Sequence, residues 1–437
     1  MDEVLNYSMN EMAGADFDCS CGRHHTLDIR HIIMGQGVLK ELTKVLEPFS
    51  GKKVYMLSDN HTFKAAGDRV LSILEGEDYL VKNVMLDSGD DILIPNEQAV
   101  GTMFLNLEPD TAVIVAVGSG TINDMAKYMS ARTKIPYVIV CTAPSMDGYV
   151  ADGAPLILEG KKISFVATLP YGVIGDTDIM KQAPMHMIHA GFGDVLGKLT
   201  ALADWYLAKE KVGEYCCETC VTLVQRALDK VTGSAEALAK RDDDAVLYLI
   251  EALTLTGVAM GLIGVSRPAS GAEHMLSHYW EMDFIAKGKF PELHGIKVGI
   301  ATPVIAEIFE LMKDEVPKEA MKLAPSREYV EGLLKTVGAP VYPTDIGIDR
   351  ELFYNSILEG YKVRNRYSIL ELALQTEKLE EIAEKMHVDF LCTKALYHFR
   401  QFFYYSLTHH QLVDIQSMMP SAAAVKTCFC HFIHRIV

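Results

Sequence analysis

Residues 1–175 alternate between short apolar segments and amphipathic ones, and this alternation restricts the fold more than any other feature of the chain. Four apolar segments are typical of buried strands: Lys53–Ser58, Tyr79–Leu86, Ala112–Val117 and Tyr137–Cys141. Helical periodicity follows the first three, over Asn60–Glu75, Asn96–Leu107 and Thr121–Ala131. Such repeated strand–helix units predict a parallel sheet covered by helices. We therefore predict an N-terminal Rossmann-like α/β domain, which binds ligands beyond the carboxyl ends of its strands.

The sequence changes character close to Gly175. Before this point, Gly153–Leu169 holds two β-like runs joined by Glu-Gly-Lys-Lys, which predicts a hairpin. After it, amphipathic segments predict an all-α domain, with helices at Val195–Lys211, Glu214–Leu228, Ala235–Ala239, Asp244–Val265, Gly271–Asp283 and in a series from Gly295 to about Leu412. We predict two domains, residues 1–175 and 176–437, with the boundary near Gly172–Asp178.

Charge and composition exclude several classes of protein. The chain has 437 residues and a formal net charge of −17, which argues against nucleic-acid binding because that requires clustered Lys and Arg. Nine cysteines without regular spacing, and no secretory signal in MDEVLNYSMN, fit a reducing cytoplasm. Val246–Val265 is apolar enough to span a membrane, but Glu251 lies near its middle, so a core helix is the better interpretation. We expect a soluble, cytoplasmic protein.

A glycine-containing loop follows the third predicted strand. Gly118-Ser119-Gly120-Thr121 precedes a helix, and such a loop can bind a phosphate through backbone N–H groups. It lacks the spacing of the common dinucleotide fingerprint, so a plain tight turn is the alternative. Asp59 ends the first strand, where it could bond a ribose or simply cap the next helix. The loop after the fourth strand adds polar groups at the same sheet edge, from Thr142, Ser145 and Asp147.

Three residues in the second half of the chain are of the types that bind metal ions, and together they would form a site with an open coordination position. Asp194 lies in HAGFGDVLGK, His274 in SRPASGAEHMLSHYWE and His294 in FPELHGIKVGIA. One carboxylate and two imidazoles suit Zn²⁺, Ni²⁺ or Fe²⁺, and three protein ligands leave a position for a substrate oxygen. His278 lies one helical turn after His274 and shares its face. Spacing alone does not exclude two competing histidines, His186 and His189.

Two other segments have the composition of metal sites. Near the N-terminus, Cys19-Ser20-Cys21 is followed by His24 and His25, which permits a metal or redox element. The C-terminal segment contains Cys428, Cys430, His431 and His434. Neither segment has a second Cys/His half nearby that would complete a zinc site, so local packing is the better interpretation of both.

Five motifs occur in an order that resembles the sn-glycerol-1-phosphate dehydrogenase family, within the iron-containing alcohol dehydrogenase and dehydroquinate synthase-like superfamily. They are VGSGTINDMAKY, TAPSMDGYVADGAPL, HAGFGDVLGK, SRPASGAEHMLSHYWE and LHGIKVGIAT, and with Asp59 the resemblance extends to Thr302. It implies a dehydroquinate synthase-like fold in which Asp194, His274 and His294 bind a catalytic divalent metal. It also implies substrate contacts by Asp147, Asp194 and His278, and a nicotinamide cofactor site lined by Asp59, Gly118, Ser119, Gly120, Thr121, Ile122, Thr142, Ala143, Pro144 and Ser145.

One position departs from the family pattern. The family has a serine four residues after the aspartate of SMDG, where it contacts the cofactor, and this chain has Ala151. The loss of one hydrogen bond is worth about 1 kcal/mol. We therefore expect cofactor binding at this position to be weakened or rearranged, not abolished.

The resemblance implies reversible hydride transfer between NAD(P)H and dihydroxyacetone phosphate, which gives glycerol 1-phosphate. The metal would stabilise charge on the substrate oxygen, with Asp194 and His278 as catalytic residues and His278 as the proton relay. We expect Zn²⁺, with Ni²⁺ and Fe²⁺ as alternatives, and NAD in preference to NADP because Asp59 would repel a 2′-phosphate. The helix start at Ser270-Gly271, after Arg267, is the predicted site for the substrate phosphate.

Three alternative functions remain open from sequence. They are a dehydrogenase of another polyol phosphate or alcohol, a dehydroquinate synthase-type cyclase, and a catalytically lapsed binding protein. The cyclase would need several basic residues around its substrate, and the motif region is poor in Lys and Arg. The family resemblance also implies a homo-oligomer, most simply a dimer.

Overall fold

The computed structural model describes residues 2–89 and 92–387, so the C-terminal Cys/His segment lies outside the described residues. The strands are β1 (Asp16–Asp18), β2 (His24–Thr26), β3 (His31–Gly35), β4 (Lys53–Asp59), β5 (Leu80–Leu86), β6 (Thr111–Gly118), β7 (Tyr137–Cys141), β8 (Gly153–Leu158), β9 (Lys161–Val166) and β10 (Gly172–Asp176).

The helices begin among these strands and dominate the chain after β10. They are α1 (Leu42–Leu46), α2 (Asn60–Thr62), α3 (Asp68–Gly76), α4 (Glu97–Leu105), α5 (Gly120–Thr133), α6 (Thr177–Met180), α7 (Met185–Val212), α8 (Glu218–Gly233), α9 (Ala235–Ala239), α10 (Asp243–Ile263), α11 (Ala272–Ala286), α12 (His294–Leu311), α13 (Lys318–Met321), α14 (Arg327–Val337), α15 (Arg350–Glu359) and α16 (Ile369–Gln375).

Six strands form one parallel sheet in the order β3-β10-β7-β6-β4-β5. Its central strands are buried on both faces because helices cover both sides. Along β6, Ile114 and Ala116 face one hydrophobic core while Val113, Val115 and Val117 face the other. Near-continuous apolar runs are typical of such strands. The predicted parallel α/β sheet followed by a mostly helical region is confirmed.

Sequence analysis missed two strands of this sheet, β3 and β10. β10 reads GVIGD, and its two glycines and its aspartate have low β propensity. All five of its residues are nevertheless buried, because it lies between β3 and β7. The packing of its neighbours therefore determines its conformation. The predicted hairpin is present as the antiparallel pair β8–β9.

Glycines allow α7 and α12 to pack unusually closely. A Cβ atom on Gly295 would lie 1.8 Å from the carbonyl oxygen of Ala190, and one on Gly193 would lie 2.3 Å from the carbonyl oxygen of Gly295. Asp194 follows Gly193 directly, and His294 precedes Gly295. The same contact therefore brings these two side chains together. The prediction that a helix begins at Val195 was wrong: α7 already begins at Met185, since tertiary packing outweighs the low helix propensity of its glycines.

The two halves of the chain are not divided cleanly in sequence. The β1–β2 hairpin belongs to the predicted first domain, yet it packs on the helical half, where His25 bonds the carbonyl oxygen of Leu262 at the end of α10. The last strand of the sheet, β10, lies at the predicted boundary near 172–178, which stays a prediction. Helix α10 is long and apolar enough to cross a membrane by length and composition, and 61% of its most apolar window is buried inside the protein.

Candidate metal centre and active site

The structure brings the three predicted metal ligands together. Asp194 lies on α7, His274 on α11, and His294 is the first residue of α12. One ligand atom from each lies within 4.8 Å of the other two. Asp194 Oδ1 is 3.7 Å from His274 Nε2, and the ring centroids of His274 and His294 are 5.1 Å apart. His186 and His189 lie outside this cluster, and His189 Nε2 bonds the carbonyl oxygen of Val337 instead.

Glu273 orients His274 from behind. Its carboxylate Oε1 lies 2.7 Å from His274 Nδ1, so this nitrogen donates to Glu273 and leaves Nε2 free to bind an ion. Glu273 is itself held by the Thr200 hydroxyl at 2.7 Å and by the Gly271 N–H at 2.6 Å. Sequence analysis did not identify Glu273, because adjacent residues of a helix do not ordinarily face each other.

Lys198 is a second residue that sequence analysis missed, and it is fully buried beside the ligands. Its ammonium lies 2.8 Å from Asp194 Oδ1 and 2.7 Å from Asp147 Oδ2. Burial alone would raise the pKa of Asp194, but the charge of the Lys198 ammonium holds it well below its ordinary value. Asp194 is therefore ionised. A sequence signal existed, because residues four apart on a helix are neighbours.

The donor set fits a divalent metal ion. Asp194 supplies a carboxylate oxygen, and burial lowers the pKa of His294 well below its ordinary value, so this imidazole has a free lone pair. The neighbouring carboxylates outweigh burial and raise the pKa of His274, so a metal ion bound at its Nε2 would displace any proton there. A carboxylate with two neutral imidazoles suits Zn²⁺, Ni²⁺ or Fe²⁺. Asp194, His274 and His294 would hold the ion.

A second polar group borders the ligands and carries the predicted proton relay. His278 Nδ1 lies 3.4 Å from Glu281 Oε2, and its Nε2 lies 3.2 Å from a guanidinium nitrogen of Arg364. Burial lowers the pKa of His278 to about 4, so it is a neutral imidazole at pH 7. Its ring centroid is 5.4 Å from that of His294. His278 is therefore placed to exchange a proton with a group beside the metal ligands.

The predicted cofactor loops lie beside the metal ligands. The carboxyl ends of β6 and β7 are adjacent, and Thr142 N–H bonds the carbonyl oxygen of Gly118. A Cβ atom on Gly120 would lie 3.5 Å from the Met146 side chain, so the loop that contains Gly118–Ile122 contacts the loop that contains Thr142–Ser145. The N–H of Asp147 donates to Asp194 Oδ2 at 3.0 Å. The sheet edge and the metal ligands therefore form one continuous site.

Two predicted cofactor residues have local roles in this structure. Asp59 Oδ1 accepts from the N–H groups of His61 and Thr62, so it caps α2, the alternative that the sequence left open. Ala151 follows the short turn Gly148–Val150 and is half-buried.

The predicted phosphate site at the start of α11 is already filled by the protein's own carboxylates. The N–H groups of Gly271 and Ala272 donate to Glu273 and Asp204. Arg267 is buried in an ion pair with Glu214 and is not exposed for a ligand. This prediction was wrong, because the spacing SRPASG gave no sign that two buried acids cap the helix.

Basic side chains from outside the motifs supply an alternative. Arg364 follows α15 and is exposed beside His278, and it forms no ion pair with any carboxylate in the described part of the chain. Lys162 lies on β9, and its Nζ is 2.8 Å from Glu281 Oε1. The Lys162 side chain is 32% exposed. The site is thus richer in cations than the motif sequences alone suggested.

Comparison with known proteins agrees with this fold. Residues 33–184 match the profile of iron-containing alcohol dehydrogenases. The structure resembles an iron-containing alcohol dehydrogenase from Thermococcus thioreducens, with a TM-score of 0.64, 16% identity, and coverage of 83% of this chain and 98% of that one. The sheet and the helical half thus have the fold of this dehydrogenase class.

Comparison with proteins of similar sequence identifies the family more specifically. The chain is 34% identical over 394 residues to the glycerol-1-phosphate dehydrogenase [NAD(P)+] of Geobacillus thermodenitrificans, which covers 84% of this chain and 97% of the relative. It is 31% identical over 356 residues to the enzyme of that name from Methanosarcina barkeri, covering 81% and 94%. The chain belongs to the glycerol-1-phosphate dehydrogenase family, as its motifs predicted.

Proposed function

We propose that this protein catalyses the reversible reduction of dihydroxyacetone phosphate to sn-glycerol 1-phosphate with NADH or NADPH. The proposal rests on one observation. The side chains of Asp194, His274 and His294 lie close together, beside the loop after β6. A bound metal ion would stabilise negative charge on the substrate oxygen, and the nicotinamide would supply the hydride. The protein's own residues bind and orient the substrate, and they exchange the proton with it.

His278 is the proposed proton relay. As a neutral imidazole it can accept a proton from the alcohol during oxidation and pass it towards Glu281, and the reverse path serves reduction. On the other side of the His278 ring, a guanidinium nitrogen of Arg364 lies beside Nε2. Asp194 contributes the charge that holds the ion, and Asp147, whose N–H is tied to Asp194, borders the substrate position.

Arg364 and Lys162 are the proposed phosphate ligands. A guanidinium binds a phosphate through two parallel hydrogen bonds, and Arg364 has no competing carboxylate among the described residues. Lys162 would add a second positive charge from the opposite half of the chain. This position replaces the helix start at Ser270-Gly271, where the N–H donors are already used.

Further features of the proposal rest on the sequence and on the family resemblance. We propose Zn²⁺ as the ion, with Ni²⁺ and Fe²⁺ as alternatives, NAD in preference to NADP, a homodimer, and a cytoplasmic location without nucleic-acid or membrane partners. The cofactor site would be lined by Gly118–Ile122, Thr142–Ser145, Asp59 and the backbone at Ala151. Elemental analysis of protein purified without chelators would identify the ion.

A direct assay tests the proposed reaction. Metal-replete protein is mixed with dihydroxyacetone phosphate and NADH, then NADPH, and loss of reduced nicotinamide absorbance is expected. The product should be inert to sn-glycerol-3-phosphate dehydrogenase, which would identify the opposite enantiomer. No oxidation of either cofactor would contradict the proposal, and oxidation only with an unphosphorylated ketone or another polyol phosphate would favour the alternative dehydrogenases.

Replacing His278 by alanine is expected to lower kcat by about 10²–10⁴-fold while the metal content stays unchanged, since a proton relay contributes about this much. Turnover and metal stoichiometry are measured on the same preparation. Equal loss of both would instead make His278 a structural support of the ligands.

Replacing Arg364 by alanine is expected to raise the KM for dihydroxyacetone phosphate by about 10–100-fold, because hydrogen bonds to a charged group are worth about 1.5–3 kcal/mol each. Unphosphorylated dihydroxyacetone provides the matched control, since its weaker turnover should not change. A similar loss with both ketones would place Arg364 at the reacting atoms, not at the phosphate.

A further inference from the structure

A cluster of sulfur and nitrogen atoms that shares no residue with the metal centre lies between the N-terminal hairpin and the helical half. We call it the cysteine cluster; its members are Cys19, Cys21, His25 and Cys217. One ligand atom from each lies within 4.8 Å of all the others. Three of the four residues are buried, and Cys21 is half-buried. Sequence analysis favoured local packing here because the fourth member, Cys217, is 192 positions from His25.

The distances within the cysteine cluster match a tetrahedral ion site. Zn–S and Zn–N bonds of ~2.3 and ~2.0 Å place two sulfur ligands ~3.8 Å apart and a sulfur and a nitrogen ~3.5 Å apart. The Sγ atoms of Cys19 and Cys217 are 3.7 Å apart, as are Cys217 Sγ and His25 Nε2. Cys21 Sγ is 3.2 Å from His25 Nε2. A disulfide would need two sulfur atoms much closer together, at about 2.05 Å.

Hydrogen bonds from neighbouring residues orient the members of the cysteine cluster, as such bonds commonly do for metal ligands. His25 Nδ1 lies 2.7 Å from the carbonyl oxygen of Leu262, which fixes the proton on Nδ1 and turns the lone pair of Nε2 towards the sulfur atoms. The Tyr215 hydroxyl lies 3.0 Å from Cys21 Sγ and can donate to a thiolate. On the other side, Asp2 binds the N–H and hydroxyl of Ser20 and so holds the turn between the two cysteines.

We propose that the cysteine cluster is a structural zinc site. Three cysteines and one histidine are a ligand set that Zn²⁺ takes in closed, four-coordinate sites without an open position for substrate. On binding, Zn²⁺ replaces three thiol protons, and the imidazole contributes a lone pair without losing a proton. The ion joins the β1–β2 hairpin to the residue before α8 and, through His25, to the end of α10. It therefore fixes the N-terminal segment on the helical half.

X-ray absorption at the zinc edge tests this proposal on the intact protein. The catalytic ligands are one oxygen and two nitrogen donors, so among the residues that the structure describes only the cysteine cluster would place sulfur in a zinc coordination shell. Zinc-replete wild-type protein, purified without chelators, is expected to show Zn–S scattering at ~2.3 Å. Absence of sulfur from the zinc shell would overturn the proposal, as would a Cys19–Cys217 disulfide found by peptide mapping of freshly purified protein.

Two variants assign the ion to these residues. Cys217→Ser is expected to lose one zinc per chain and the sulfur scattering, whereas Cys216→Ser, a neighbouring cysteine outside the cluster, should keep both. Unchanged zinc content in Cys217→Ser would overturn the assignment. If Cys217→Ser does not fold, absence of sulfur from the wild-type zinc shell still overturns the proposal. None of these measurements uses turnover, so they are independent of the proposed reaction.

Discussion

His294→Ala is expected to remove the catalytic ion and to lower kcat/KM by about a thousandfold. The reason is that His294 supplies one of three ligands, and two ligands bind a divalent ion weakly. Metal-ion stabilisation of a developing oxyanion is worth several kcal/mol, and about 4 kcal/mol corresponds to roughly a thousandfold in rate. Metal stoichiometry and kcat/KM are measured together, and NADH binding is followed by fluorescence to show that the cofactor site is retained.

His186→Ala is the matched control for this variant. His186 is an exposed histidine on α7, and sequence alone left it open as a ligand. It should keep both the ion and the activity, because it lies outside the ligand cluster. If His186→Ala loses the ion and His294→Ala keeps it, the ligand assignment fails. Isosteric Asp194→Asn should behave like His294→Ala, since an amide is a much poorer ligand than a carboxylate.

The general position of the site could be predicted from sequence because parallel α/β sheets place ligands at the carboxyl ends of their strands. The loop after β6 and the loop after β7 do lie side by side, and the second of them touches Asp194. The metal ligands could be proposed because few residue types bind such ions. The order of the family motifs along the chain gave further support to this ligand assignment.

The groups that support the site could not be predicted in the same way. Glu273 and Lys198 act through buried contacts whose partners are distant in sequence, such as Thr200 and Asp147. Charge alone does not reveal a buried Lys, because most lysines are exposed. The helix start at Ser270 failed as a phosphate site for the same reason: Asp204, far earlier in the chain, occupies one of its N–H groups. Long-range polar contacts are therefore the part of this site that sequence patterns do not encode.

Close backbone approach explains why glycine-rich motifs mark this centre. Gly193 and Gly295 remove side chains from the contact between α7 and α12. A Cβ atom at either position would meet backbone oxygen at 2.3 Å or less, which requires the helices to separate. Because Asp194 and His294 are the adjacent residues, any such separation would widen the ligand set. The glycines in GFGD and LHG thus serve geometry, not flexibility.

Lys198→Met is expected to lower the free energy of unfolding of metal-free protein by about 3–5 kcal/mol, because it leaves buried carboxylates without their partner. Lys198 is fully buried and pairs with both Asp194 and Asp147. Urea denaturation of metal-free wild type and variant measures the difference. The loss should be smaller in metal-loaded protein, since a divalent ion also compensates Asp194.

The pH dependence of this loss identifies its cause. In wild type the pKa of Asp194 is held below its ordinary value, so the Lys198 pair contributes stability that is present above about pH 4 and is lost as pH falls further. Without Lys198, burial raises the pKa of both carboxyls, and they can be neutralised by protonation at mildly acidic pH. The difference between variant and wild type should therefore shrink from about pH 8 to about pH 5. Lys313→Met, the same substitution at an exposed pair with Glu310, should change stability little at either pH. A pH-independent loss in Lys198→Met would point to lost packing of the lysine stem instead of unpaired charge.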